Sequence, residues 1–267
     1  MKYTVVTTFN ATGYTQYAKK MITTFLQHWP NSVDLVVYAE NCSVTESAPN
    51  LIVRDLLVSS PELVLFKSQW QHVPKANGDV STDPVRSQRK DAGKGFKWDA
   101  VRFSHKVYAI FNCAQSVSSE WLIWMDADTV CHSAISIADI DRLLPADRDL
   151  CFLGRQGKYS ECGLYAMKLT SASTQKFLQE FQRCYDQAEQ GIFQLPEWHD
   201  SYVFDAVRNR VNVRELDWSQ GIIQGEGHPL INSEWGAYLD HLKGNRKTLG
   251  RSKAKDLKVQ RQEAYWQ

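Results

Sequence analysis

Apolar and polar positions alternate along this chain in blocks whose period changes from strand-like to helix-like and back. Residues 3–9 form a β-branched and aromatic run suited to a buried strand. After the polar Asn10-Ala-Thr-Gly13, the residues Tyr17, Met21, Phe25 and Leu26 recur at three- and four-residue steps. That spacing predicts a helix with one apolar face, ended by Pro30. Short apolar runs at 35–39 and 51–57 read as two further strands. A β-α-β opening of this kind predicts a layered α/β domain built on parallel strands.

The pattern then breaks. Between 72 and 95, Pro74, Gly78, Pro84, Gly93 and Gly95 lie among charged residues with few apolar anchors, which predicts a long surface loop, a mobile lid or a disordered insertion. A helix is expected over 98–114, followed by the wholly apolar strand 121–125, which runs straight into Asp126-Ala-Asp128. Further along come a short helix at 137–144, strands at 150–153 and 163–167, a long helix at 171–190 and another ending near Arg208. From Val211 short apolar pieces alternate with Gly and Asn, and no internal repeat interrupts the chain. The expected organisation is one domain over 1–240 with an extension, 241–267, closing over it.

Composition narrows the class without choosing a function. With 43% apolar and 23% charged residues the chain is an ordinary globular one, neither disordered nor fibrous. Apolar runs reach only about five residues, against the roughly 20 that a membrane helix requires. The start of the chain lacks the apolar stretch of a signal peptide. Six Cys without a CxxC pair fit free thiols in a reducing compartment better than a zinc ribbon. A cytoplasmic protein, or one peripheral to a membrane, is therefore expected. The net charge of +1 hides an asymmetry, because residues 241–267 carry eight Lys/Arg against two acids. Such a tail either meets phosphate, on a nucleotide, a nucleic acid or a membrane, or is simply solvated.

Two carboxylates one residue apart can share a divalent cation between hard oxygen ligands. Eighteen Asp in 267 residues give about one such pair by chance, and three occur, at 126/128, 139/141 and 147/149. Only Asp126 and Asp128 follow an uninterrupted apolar strand, which would present them at the carboxyl edge of a sheet, where open α/β sheets bind ligands. The other two pairs fall in a helix and a turn, where caps and solvated faces account for them.

The WMDAD strand end resembles the DxD motif of GT-A-fold glycosyltransferases, and Asp126, Ala127 and Asp128 occupy its three positions. The resemblance implies an α/β, Rossmann-like single domain with a mixed, mainly parallel central sheet flanked by helices. It also implies Mn²⁺ or Mg²⁺ as cofactor and a nucleotide-sugar donor, with a UDP-sugar the expected one. The tail segment His241-Leu-Lys-Gly244-Asn-Arg-Lys247 is similar to the HxxGxxK motif of family-eight glycosyltransferases, although Thr248-Leu249 replace the usual proline and tryptophan. That likeness implies His241 as the third metal ligand, Gly244 as the point where backbone meets diphosphate, and Lys247 as its counter-charge. Glu197-Trp-His-Asp-Ser201 resembles the donor-sugar segment of families six and eight. By that resemblance Asp200 holds sugar hydroxyls and Ser201 lies beneath the anomeric carbon.

Ser201 is neither Glu nor Gln, so the sequence favours a front-face retaining mechanism over double displacement. The same His-Asp-Ser run also reads as a helix N-cap. Thr7, Thr8, Phe9, Asn10 and Tyr14 fall where such enzymes cradle the nucleotide. Lys97, Arg102 and Lys106 line the helix after the glycine-rich loop, with Lys106 taken as the cation nearest the diphosphate. Glu161-Cys-Gly163 resembles the Asn-x-Gly strand start of family eight with Glu in place of Asn. Trp198 and Trp235 are candidates for stacking on sugar rings. The expected acceptor is a glycan or a lipid-linked glycan, with hydroxymethylated DNA as a further option suggested by the basic tail. A Mg²⁺-dependent nucleotidyltransferase and a non-catalytic sugar or nucleic-acid binder are the competing readings.

Overall fold

The structure is a computed structural model that describes residues 2–220 and 228–267. The part of the Gly- and Asn-punctuated run at 221–227 lies outside the described residues, as does residue 1. A central sheet is laid down by β1 (Tyr3–Asn10), β2 (Asp34–Glu40), β3 (Leu51–Asp55), β4 (Trp121–Met125), β6 (Leu150–Leu153), β7 (Glu161–Lys168) and β8 (Glu215–Asp217). Its order is β3-β2-β1-β4-β7-β6-β8. β3, β2, β1 and β4 run parallel, β7 is antiparallel to both β4 and β6, and β8 is parallel to β6. A separate two-stranded ladder joins β5 (Thr129–Cys131) to β9 (Leu239–His241). The expected α/β architecture, a mixed and mainly parallel sheet flanked by helices, is the one observed.

Helices cover both faces, which explains why the inner strands are apolar throughout rather than alternating. All five residues of β4 are buried. Leu122 and Trp124 pack into the layer that holds the Ala100–Ser116 and Ala172–Asp186 helices. Trp121, Ile123 and Met125 pack into the opposite layer with Met21, Ile22 and Phe25 of the Lys19–His28 helix. Each such side chain contributes about 1.5–3 kcal/mol by leaving water, so β4 is firmly anchored where it carries a site at its end. Trp198 and Trp235 are fully buried in the two layers, which removes both from any sugar-stacking role.

One boundary needs correction, and two stretches hold structure that the sequence pattern does not announce. The third strand stops at Asp55, because its carboxylate accepts the Val58 N–H and turns the chain into the Leu56–Ser59 helix. The helix Pro61–Trp70 has no counterpart in the sequence reading; it buries only Leu63 and Phe66 and leaves Leu65 exposed, so its apolar period is faint. The segment expected as a long surface loop, 72–95, holds the short 3-10 turns Pro74–Asn77 and Arg86–Gln88 and leads into a third, Gly95–Trp98. It is pinned to the 195–199 strip by Arg86 to Leu195 O (3.0 Å), Trp98 to Pro196 O (3.0 Å) and Lys97 to Glu197 (2.8 Å).

Candidate active site

β4 ends at Met125, and the Asp126 N–H donates to Gly163 O (2.8 Å), so the neighbouring antiparallel strand fixes where the first carboxylate leaves the sheet. The chain then turns, with the Thr129 N–H donating to Asp126 O (3.0 Å), and enters β5. β5 pairs with β9 in a register that sets Thr129 opposite His241. The Leu242 N–H donates to Asp128 O (2.9 Å) and closes the ladder. A histidine more than a hundred residues downstream is thereby delivered to the two carboxylates by three residues of strand pairing.

His241 Nε2 lies 3.0 Å from Asp128 Oδ1 and 3.5 Å from Asp126 Oδ2. Each carboxylate turns its second oxygen to a lysine: Asp126 Oδ1 to Lys106 (3.1 Å) and Asp128 Oδ2 to Lys247 (3.0 Å). The Trp124 indole N–H also donates to Asp126 Oδ1 (2.8 Å). One oxygen from each Asp and one imidazole nitrogen thus converge, and the three ligand atoms fall within 4.8 Å of one another. Two hard oxygens and one imidazole nitrogen suit Mn²⁺ or Mg²⁺, with Mn²⁺ better served by the nitrogen.

The electrostatics match this crowding. Burial disfavours charge on His241, but Asp128, Asp126 and Glu161 outweigh it and push the ring up to about 9. Burial alone would raise Asp128; the His241 ring and the Lys247 ammonium overcome that and hold its carboxyl below the usual range.

Lys106 connects this cluster to the sugar-site candidate. Its ammonium is buried, lies 2.7 Å from Asp200 Oδ2, and donates to Cys162 O. Burial works against its charge, yet Asp126 and Asp200 hold it well above its ordinary value. Asp200 opens the Asp200–Arg208 helix. The preceding His199 is the N-cap, its ring accepting from the Tyr202 N–H, so capping leaves the Asp200 carboxylate free to face Lys106. Burial would raise Asp200, but Lys106 draws it below its usual range. Ser201 sits against the Cys162 thiol.

The remaining predicted residues fall around the same sheet edge. Thr7 is fully buried in β1, Thr8 donates to Tyr38 O (2.7 Å), and Asn10 accepts from the Gly13 N–H (2.8 Å). Phe9 stacks on Tyr14 at 5.7 Å, and the Tyr14 hydroxyl donates to Glu46 (2.6 Å). Ala127 is buried between the two acids. Gly244 takes a left-handed φ of 64° with nothing near the place where a side chain would stand. Lys247 hangs 4.3 Å from the centre of the Tyr17 ring. Arg102 is exposed and Lys97 is committed to Asp91 and Glu197.

Of the other Asp pairs, Asp139 forms a capping box with Ser136, and Asp141 meets Lys2. Asp149 is no solvated turn residue: it is buried against Arg214 (2.7 Å). Sequence reasoning missed His228, buried with Nε2 4.0 Å from Glu161 Oε2 and with no hydrogen-bond partner for either ring nitrogen among the described residues, because a lone His among glycines carries no pattern.

No family model matches the chain, and no curated protein does. Solved structures that it resembles include glycosyltransferases. The apo bifunctional glycosyltransferase WbbM aligns at 12% identity and TM-score 0.48 over 82% of this chain and 39% of that one. The apo form of GlyE from Streptococcus pneumoniae TIGR4 aligns at 9% and 0.46, over 82% and 46%. A glycosyltransferase involved in glycosylation of the major capsid of PBCV-1 aligns at 13% and 0.45, over 93% of this chain and 100% of that one. The chain spans less than half the length of the first two. Likenesses this distant assign no family, so the functional reading stands on the site.

Proposed function

We propose that this chain is a metal-dependent glycosyltransferase that moves a sugar from a nucleoside diphosphate, a UDP-sugar, to a hydroxyl of a glycan or lipid-linked glycan. The observation that carries the reading is the convergence of Asp126 Oδ2, Asp128 Oδ1 and His241 Nε2 at a sheet edge, with Asp200 joined to the same cluster through Lys106. Asp126, Asp128 and His241 would hold Mn²⁺ or Mg²⁺, which when bound supplies Lewis-acid neutralisation of the diphosphate.

The chain's own groups do the rest. Lys247 can leave Asp128 for a phosphate oxygen while Gly244 lets backbone approach it. Lys106 keeps Asp200 ionised, so that Asp200 accepts hydrogen bonds from sugar hydroxyls. Phe9 and Tyr14 offer ring surface for a base at the end of β1. With a serine after Asp200 no carboxylate stands there as nucleophile, so the retention that the likeness to families six and eight implies would proceed by attack from the leaving group's side. Incubation with Mn²⁺ and a panel of nucleotide sugars should show slow hydrolysis of one UDP-sugar, abolished in Asp126→Asn and in Asp128→Asn while both variants stay folded. Pyrophosphate release from a nucleoside triphosphate instead would show the nucleotidyltransferase reading to be the correct one.

A further inference from the structure

Glu161 begins β7 and is almost wholly enclosed, at 3% exposure. A buried carboxylate is costly unless partners repay its lost hydration. Lys243 lies 3.2 Å from both of its oxygens and Arg155 3.4 Å from Oε2. Burial would raise its carboxyl, but the surrounding His228, Lys243, His241 and Arg155 hold it well below the usual range. Those pairs explain why Glu161 is ionised. They do not explain why it stands behind the histidine of the cation site.

Among the described residues His241 Nδ1 is buried without a hydrogen-bond partner, and Glu161 Oε1 is 3.8 Å away on that side of the ring. Gly163 keeps the gap open: a Cβ there would stand 2.5 Å from His241 Nδ1 and 3.3 Å from Glu161 Oε1. An imidazole that gives Nε2 to a cation must carry its proton on Nδ1, and a carboxylate on that side fixes both tautomer and ring orientation. Such contacts are often long before the ligand arrives and shorten when it binds.

We propose that Glu161 is the positioning residue for His241: through the space left by Gly163, its carboxylate holds the Nδ1 proton and keeps the Nε2 lone pair turned toward Asp126 and Asp128. The inference rests on reading Asp126, Asp128 and His241 as a cation site. Glu161, His228 and His241 also lie close enough to hold an ion themselves. Two ammonium and guanidinium charges already face that carboxylate, however, and His241 would have to bridge two ions as an imidazolate. Orientation needs neither.

Mn²⁺ affinity, measured on the full chain by the loss of the free-ion paramagnetic resonance signal, tests this without turnover. Glu161→Ala should weaken Mn²⁺ binding about 10–100-fold. Glu161→Gln, which keeps an acceptor oxygen, should recover most of the loss. Lys243→Met removes the ion pair but spares the carboxylate, and should bind Mn²⁺ at least as tightly as wild type. Gly163→Ala leaves Glu161 and its cations in place yet wedges a methyl beside Nδ1. It should mimic Glu161→Ala, and it decides the matter should Glu161→Ala not fold. Wild-type Mn²⁺ affinity in Glu161→Ala or Gly163→Ala, or equal losses in Glu161→Gln and Glu161→Ala, would overturn the proposal. Asp126→Asn is the control: wild-type Mn²⁺ affinity there would mean that the cation site itself, not Glu161's part in it, is misassigned.

Discussion

Lys247 Nζ is held 3.0 Å from Asp128 Oδ2, an ammonium lent by the C-terminal tail to a carboxylate at the end of the central strand. The pair joins the tail to the end of a strand buried on both faces. Because Lys247 is about one-third exposed, its bond to Asp128 adds little to stability, on the order of 0–1 kcal/mol. The expectation is therefore a split effect. Lys247→Met should lower Mn²⁺-dependent UDP affinity by about tenfold or more, the worth of one charged hydrogen bond. It should leave Tm nearly unchanged and Mn²⁺ affinity unchanged or higher, since Asp128 loses a competitor. Calorimetric titration with UDP and with Mn²⁺ separately would reveal the split; equal losses for both ligands would contradict it.

Lys106 poses the opposite case, a buried cation between Asp126 and Asp200. Replacing it with Met leaves two carboxylates facing an apolar side chain. Losing one partner of a buried pair costs about 3–5 kcal/mol, and the lower end applies because Asp126 is 30% exposed. Lys106→Met should therefore unfold at distinctly lower urea, and added Mn²⁺ should restore part of the stability by binding the folded state alone. A variant as stable as wild type without metal would show that the two acids do not depend on this ammonium.

How much of this was legible in the sequence follows from where the forces are local. The apolar run Trp121–Met125 announces β4 because a strand covered on both faces has no polar positions to alternate with. Asp126 and Asp128 stand out because that run ends at them. His241 is different in kind. Nothing near it in the chain marks it as a partner of Asp128; only the β5–β9 ladder does, and strand pairing across such a distance leaves no local trace. Resemblance to a motif brought His241 forward, but no such motif covers His228, and Glu161 entered only as a strand start. Arg89 and Lys97 likewise tie the 72–95 loop and the turn after it to Glu197 through contacts about a hundred residues apart, which its composition alone does not reveal.

Acid should weaken the fold through His132. Its ring stacks on Tyr265 at 4.1 Å and 5°, and burial lowers it to about 4, against the pull of Asp240 and Glu263 and with a small push from His28. In the unfolded chain the same ring titrates near 6.5. As pH falls from about 6.5 to 4 the unfolded state takes up a proton that the folded state refuses, so stability declines through that window and is flat above it for this group. Urea midpoints at pH 7 and pH 4.5 should differ more for wild type than for His132→Phe, which keeps the stack and cannot titrate. An identical acid slope in the two would assign the effect elsewhere.

Asp240, one residue before His241 in β9, is fully buried, and its partners come from the end of the chain. The Ser252 N–H donates to Oδ2 (2.7 Å), the Ser252 hydroxyl to Oδ1 (2.6 Å) and the Tyr265 hydroxyl to Oδ2 (2.8 Å). β9 is only three residues long, so this anchor supplements a short ladder in holding it in place. Removing both hydroxyls by Ser252→Ala with Tyr265→Phe leaves a buried carboxylate with one donor, a loss of about 3 kcal/mol or more at 1.5–3 kcal/mol per charged hydrogen bond. Because Asp240 and His241 share one short strand, the double variant should lose Mn²⁺ affinity along with stability, whereas Tyr265→Phe alone should show a smaller loss of both. Measured together by thermal melts and Mn²⁺ titration, the two quantities should fall in step. A double variant that melts early yet binds Mn²⁺ as tightly as wild type would mean that the tail steadies the fold without setting the position of the histidine.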